Sequence, residues 1–243
     1  MREEVYNFIE RNEESHWWYR GRRLIFEEIL GKILKGKSDG KIYEVGCAGG
    51  GNFEVWQKFS DFCVGVDISQ RALDFCRKYG YKELILADAE NLSGIPDEGA
   101  FMVTACDVLE HISDDKKALK EFYRILEKEG ILFLTAPAFQ FLWGGADKLS
   151  LHKRRYTREQ LNYLLRAAGF TPLRLTYFNT ILFLPILVVR LLERILKSNP
   201  RIEYKLPPGF LNHLFFKIFA FERYLLKYFN LPFGVSLMAI AKK

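Results

Sequence analysis

Four carboxylates fall where successive apolar runs end: Glu44 in YEVG, Asp67 in GVDIS, Asp88 in ADAENL and Asp107 in DVLEH. The first run passes into "YEVGCAGGGN", residues 43–52, which holds four glycines and one alanine within six positions. Bare backbone at the end of a strand lets a ligand approach the main chain and admits angles closed to other residues. Gly46, Ala48 and Gly51 can be laid on the GxGxxG dinucleotide fingerprint, with Asp67 about twenty residues on. A pyrophosphate beside four acids, however, would be repelled at a cost of roughly a few kcal/mol for close pairs in a partly buried site. A ligand with a positive charge, a ribose diol and an adenine amine would be welcomed instead. One such acid is as readily a cap or turn residue, but four at successive strand ends argue for a shared rim.

Histidine is the side chain most easily poised near neutral pH, and three stand in suggestive company: His16 in ESHWWYRGRR, His111 in DVLEHI and His152 in LHKRRYT. His152 precedes Lys153, Arg154 and Arg155, which could grip a phosphate or carboxylate on a second substrate, and Tyr156 follows. The alternative there is a solvated loop ahead of a helix. In HWWYRGRR, Trp17, Trp18 and Tyr19 stand beside three arginines; they read either as a lid over a ligand or as a helix packed on the core.

Placing the acids on one rim requires a parallel sheet. Short apolar runs alternate with helical patterns from about residue 41 to 137, the signature of βαβ units. Strands are expected at 41–47, 63–68, 83–89, 101–109 and 130–137, with helices near 53–59, 70–79 and 114–126. Residues 3–35 read as one or two helices interrupted at HWWYRG. TREQLNYLLRAAGF has a Thr cap and a Gly stop, so it reads as a helix. FTPLRLTYF (170–178) and FGVSLMAIAK (233–242) complete seven strands.

Taken in order, EVGCAGGGN, GVDIS, ADAENL, DVLEHI and LKEFYRILEKEGILFLTAP resemble the class I S-adenosylmethionine-dependent methyltransferases, in particular the type 11/12-like enzymes of small molecules and lipids. The resemblance covers about residues 41–179. S-adenosylmethionine carries the features the acids favour: a sulfonium, an ammonium, two ribose hydroxyls and an exocyclic amine. The fold implied is α/β, a Rossmann-like, doubly wound seven-stranded sheet whose last strand runs antiparallel between strands five and six. By resemblance, Glu44, Gly46, Cys47 and Gly50 wrap the methionine moiety, with Ala48 where the family usually has Gly. Asp67 takes the ribose hydroxyls with Ile68 beside the adenine, Asp88 and Ala89 meet the adenine, and Asp107 and Val108 line the inner side of the cofactor. Trp17, Trp18, Tyr19, Arg154 and Arg155 are the expected acceptor contacts; His111, His152 and Tyr156 are the catalytic candidates. Asp107, Glu110 and His111 match an acid-x-x-Glu-His set that holds a divalent metal in quinone-pathway relatives, but the same pair occurs without metal, and no metal is expected. S-adenosylhomocysteine is the implied product.

The net charge of +6 is concentrated at the end of the chain, where residues 180–243 hold ten Lys or Arg against three Asp or Glu. That points to a local anionic partner and away from nucleic acid. TILFLPILVVRLLERILK and FLNHLFFKIFAFERYLLKYF read as helices that either meet an anionic membrane surface or form a cap packed on the sheet or a second subunit. The apolar run at 181–189 is too short to span a bilayer. The expected organisation is a core of residues 1–179 and 231–243, whose first 40 residues form a helical lid, with 180–230 inserted as a basic, aromatic segment shaping the acceptor pocket. The 49% hydrophobic content is ample for such a core. Four isolated cysteines and an acidic, polar start suggest a reducing, cytoplasmic setting, with contact at the inner membrane face. The leading expectation is O-methylation of a hydrophobic or lipid-linked acceptor. An NAD(P)-binding oxidoreductase and a non-catalytic binding protein of the same fold are the alternatives.

Overall fold

The computed structural model describes residues 2–34, 36–196 and 206–243. Seven strands form one sheet: β1 (Ile42–Val45), β2 (Cys63–Asp67), β3 (Glu83–Leu86), β4 (Ala100–Cys106), β5 (Leu126–Pro137), β6 (Thr171–Phe178) and β7 (Ser236–Lys242). Their order is β3-β2-β1-β4-β5-β7-β6. All neighbours are parallel except β7, which lies antiparallel between β5 and β6, the arrangement expected from the sequence. The strand order reverses between β1 and β4, where an open α/β sheet leaves a crevice at its carboxyl edge.

Apolar residues line both faces because both are covered. Tyr43, Val103, Leu132 and Leu237 join one buried cluster with residues of the two helices α5 (Asp115–Ile125) and α7 (Arg158–Ala167). Ile42, Met102, Phe133 and Met238 join another with α2 (Trp17–Ile33) and α9 (Gly209–Leu226). Such two-sided burial explains why the strands read as continuous apolar runs. The remaining helices are α1 (Glu3–Asn12), α3 (Phe53–Trp56), α4 (Gln70–Cys76), α6 (Gly145–Ser150) and α8 (Phe183–Leu196). All four cysteines are buried and free.

Several boundaries differ from the sequence reading. The amino-terminal break falls at residues 13–16, ahead of WWYRG, because the His16 side chain caps α2 by accepting from the Trp18 N–H at 3.2 Å. Strand β4 stops at Cys106, since Asp107 adopts φ +57° and a tight turn follows at Leu109–His111. Strand β3 stops at Leu86, leaving Asp88 beyond it. The segment between β6 and β7 supplies α8 and α9, and residues 197–205 of the expected insertion lie outside the described residues.

Candidate active site

A cavity of about 410 Å³ opens at the carboxyl ends of β1, β2 and β4, within the size range of small-molecule sites. Gly46, Asp67, Ile68, Asp88, Ala89, Asp107 and Val108 all line it. Asp67 is 7% exposed and accepts the N–H groups of Ala48 at 3.1 Å and Ser69 at 2.9 Å. Burial still raises its pKa, against those bonds. Asp88 accepts the Glu90 N–H at 2.9 Å, which fixes its turn. Asp107 pairs with Arg22 at 2.8 Å and accepts from the Thr135 hydroxyl at 3.3 Å. Ile68 is 67% exposed, a large apolar side chain left open beside Asp67. Gly46 must be glycine twice over: its φ is +73°, and a Cβ would lie 2.4 Å from Val108.

Glu44, Cys47 and Gly50 stand apart from this group. Glu44 is 1% exposed and points into the interior, where it accepts from Asn52 Nδ2 at 2.9 Å and from the Tyr81 hydroxyl. It therefore props the glycine loop from beneath, which corrects the expectation that it touches a ligand. The Cys47 thiol faces Cys76 at 3.4 Å, away from the cavity, and a Cβ at Gly50 would meet Tyr79 and Cys76. Their contribution to the cavity is the path of the backbone.

The two histidines meet at the far wall. His111 and His152 line the cavity with ring centroids 4.7 Å apart, edge to face. Burial first, and then His152 alongside, push His111 down to about 3. The Nδ1 of His152 lies 2.8 Å from Asp147 Oδ1, and its Nε2 lies 3.9 Å from Glu110. Burial alone would raise the Asp147 carboxyl, yet bonds from His152, Arg155 and the Gly144 N–H outweigh it and hold the group well below the usual range. An ionised Asp147 accepts a hydrogen bond, so the proton of His152 is assigned to Nδ1, leaving the Nε2 lone pair free. Glu110 is fully buried, neither carboxyl oxygen has a hydrogen-bond partner among the described residues, and burial followed by Asp107 raises its pKa strongly. Ligand atoms of Glu110, His111 and His152 lie within 4.8 Å of one another, near enough to share a metal ion. Asp107 is drawn instead to Arg22.

Three site expectations are corrected by this arrangement. Arg155 is 8% exposed and forks onto Asp147 through Nε at 2.8 Å and Nη2 at 2.9 Å. Arg154 binds Asp115 at 2.9 Å and the carbonyls of Ile112 and Ser113. Both guanidinium groups are committed within the fold, and of the basic triplet only Lys153 lines the cavity. Tyr156 is 3% exposed, and its hydroxyl donates to Asp115 or Leu109 O, so it cannot reach a substrate there.

The amino-terminal segment closes the cavity from above through Val5, Tyr6 and Ile9 of α1 and Trp18, Tyr19 and Arg22 of α2. Trp17 turns away and packs edge-on against Phe215 and Phe219 of α9. Arg22 is 7% exposed, and its Nε has no partner among the described residues. Sequence reasoning missed Asp147, Arg22 and Glu13 as residues of the site, because nothing in their local pattern marks them.

Helices α8 and α9 each present an apolar outer face. On α8 the exposed residues are Leu184, Val188, Leu191, Leu192 and Ile195; on α9 they are Phe210, Leu214, Phe221 and Tyr224. Both sets follow helical spacing. The opposite face of α9 is core: Phe219 stacks on Trp18 at 4.9 Å, and Phe219 and Leu226 are fully buried. Among the described residues, no helix is long and apolar enough to cross a membrane.

Residues 43–134 match the family model described as a methyltransferase domain. A probable S-adenosylmethionine-dependent methyltransferase of Mycobacterium tuberculosis (strain H37Rv) is 23% identical over 159 residues, 64% of this chain and 56% of that protein. A ubiquinone biosynthesis O-methyltransferase of Actinobacillus pleuropneumoniae serotype 7 is 26% identical over 104 residues, 39% of this chain and 44% of its own length. The chain thus spans about half the length of the curated relatives it matches. Among solved structures, a Thermotoga maritima S-adenosylmethionine-dependent methyltransferase, described as a possible histamine N-methyltransferase, superposes with a TM-score of 0.56. It is 24% identical, with 98% of this chain and 99% of that chain covered, a likeness of fold.

Proposed function

We infer, from the premise that the chain belongs to the class I S-adenosylmethionine-dependent methyltransferases, that it transfers a methyl group to the oxygen of a hydrophobic or lipid-linked acceptor at the cytoplasmic membrane face. One observation carries the cofactor assignment. The carboxylates of Asp67, Asp88 and Asp107 share one cavity with the bare backbone of Gly46. The donor set fits a cationic nucleoside: Asp67 suits a ribose diol, Asp88 an adenine amine and Ile68 the adenine face. The unpartnered Nε of Arg22 suits a carboxylate. S-adenosylmethionine supplies an electrophilic methyl group on a sulfonium.

The work of the chain is then to align an acceptor in a dry pocket and to take its proton where one must leave. His111 is a poor base with its ring pushed to about 3. His152, oriented by Asp147, is the better one, with Nε2 as the receiving atom. The cofactor reading predicts that S-adenosylhomocysteine binds in calorimetry and that NADH does not. Binding of NADH alone would favour the oxidoreductase alternative.

The membrane part of the proposal rests on the apolar stripes of α8 and α9 beside the exposed Lys217, whereas Arg190 pairs with Glu193 at 3.4 Å and Arg194 donates to the Trp143 carbonyl at 2.9 Å. Helices of this kind bury rings at the headgroup boundary while basic residues meet anionic lipid. The similarity to a ubiquinone biosynthesis O-methyltransferase accords with a greasy acceptor. Flotation with liposomes rich in phosphatidylglycerol is expected to carry the protein upward, and replacing Leu184, Val188 and Ile195 with serine should leave it at the bottom. Wild-type protein that stays down removes the membrane from the proposal.

A further inference from the structure

Glu13 sits at the break between α1 and α2, the joint of the segment that closes the cavity. It is 5% exposed and lines the cavity. Its side chain lies directly on the glycine loop. A Cβ at Gly49 would come within 2.1 Å of Glu13 Oε2, and one at Gly51 within 2.5 Å of its carboxyl carbon. Two of the four loop glycines are therefore bare to admit this carboxylate, which also accepts the Gly51 N–H.

The other carboxylates of the cavity are spoken for. Asp67 holds backbone N–H groups and faces the nucleoside end, Asp88 fixes its own turn, and Glu90 accepts the N–H groups of Ser113 and Asp114. Asp107 pairs with Arg22. Around Glu13 stand Arg22 and Arg23, which favour its charge, and Glu44 and Tyr79, which oppose it. Among the described residues no cation makes an ion pair with it. Burial, the largest influence, holds the carboxyl up at about 7.

We propose that Glu13 is the counter-ion for the α-ammonium group of S-adenosylmethionine, so that the segment covering the cavity itself reads the amino-acid end of the cofactor. This rests on the cofactor reading above. Pairing with an ammonium favours the carboxylate, so cofactor binding near pH 7 releases a proton from Glu13.

The test compares two ligands by calorimetry. S-adenosylhomocysteine carries the amino-acid group; 5′-methylthioadenosine keeps the nucleoside and the thioether without it. Glu13→Gln is expected to weaken S-adenosylhomocysteine about tenfold or more and to leave 5′-methylthioadenosine within about twofold. For wild-type protein, the heat of S-adenosylhomocysteine binding should vary with the ionisation enthalpy of the buffer, and that variation should shrink in Glu13→Gln. Gly49→Ala, whose new methyl group displaces the carboxylate, should reproduce the selective loss. Equal losses for both ligands, or no loss for either, overturn the proposal while the cofactor reading stands. Wild-type protein that binds neither ligand overturns the cofactor reading, and this inference with it.

Discussion

Replacing Arg155 with methionine is expected to lower the unfolding free energy by about 3–5 kcal/mol, the range for stripping one partner from a buried ion pair. Asp147 is fully buried, and four donors converge on its two oxygens: His152 Nδ1, Arg155 Nε, Arg155 Nη2 and the Gly144 N–H. Methionine keeps much of the apolar bulk of the arginine and none of its charge. The carboxylate would then remain in a dry interior with its main cation gone. Arg155 also donates to the Ala138 carbonyl at 3.0 Å, so the same change frees the end of β5 from α6. Urea unfolding monitored by circular dichroism would read the loss as a lower midpoint at unchanged slope. Replacing Asp147 with leucine in the same chain should recover part of it, because the uncompensated charge is then absent. A loss under about 1 kcal/mol would mean that water reaches Asp147, and the rigid seat assigned to His152 would go with it.

That network shows where sequence reading stops. The central strands were legible because they are buried on both faces and so read as unbroken apolar runs, although the edge strand β3 is half-exposed, and the slot of β7 was implied by the family resemblance. The acids at strand ends were legible for the same reason: once the strands are placed, their carboxyl termini share an edge. Glu44 broke the pattern because it lies within β1, on the face covered by α2 and α3, and not past its end. Alternation along the strand could have signalled this, since Tyr43 and Val45 face the opposite side.

The basic triplet failed for a different reason. Lys153, Arg154 and Arg155 look alike in sequence, but an extended backbone turns successive side chains to different sides. Arg155 meets Asp147, Arg154 meets Asp115, and Lys153 alone reaches the cavity. Which partner neutralises which arginine depends on α6, a six-residue helix in GGADKLSLH with no apolar period to reveal it. Glu13 and Arg22 were illegible as site residues because they come from outside the βαβ pattern and reach the glycine loop only through tertiary packing. The sequence did separate α9 from a plain surface helix by its many aromatic rings, yet two of those rings, Phe215 and Phe219, serve the core against Trp17 and Trp18.

His152→Ala is expected to reduce kcat for methyl transfer about 10²–10⁴-fold while leaving S-adenosylhomocysteine affinity within about twofold, the span of a positioned general base. The measurement is S-adenosylhomocysteine release with a prenylated catechol as acceptor. Loss of kcat without loss of cofactor affinity separates a proton-transfer role from a wall of the pocket. His111 makes the internal control: its ring, pushed down to about 3, is neutral and weakly basic, so His111→Gln should cost far less. Added imidazole should restore part of the activity of His152→Ala, since the deletion leaves a space that a small base can enter. Asp147→Asn should follow His152→Ala in kcat, although Asp147 touches no substrate. Every group facing Asp147 is a donor, so an amide NH₂ there must oppose one of them. If it turns toward His152, the imidazole proton moves to Nε2 and the atom meant to receive the acceptor proton is already filled. Equal losses for His111→Gln and His152→Ala, with no rescue by imidazole, would instead make the pair a structural wall, and deprotonation of the acceptor would have to be assigned elsewhere.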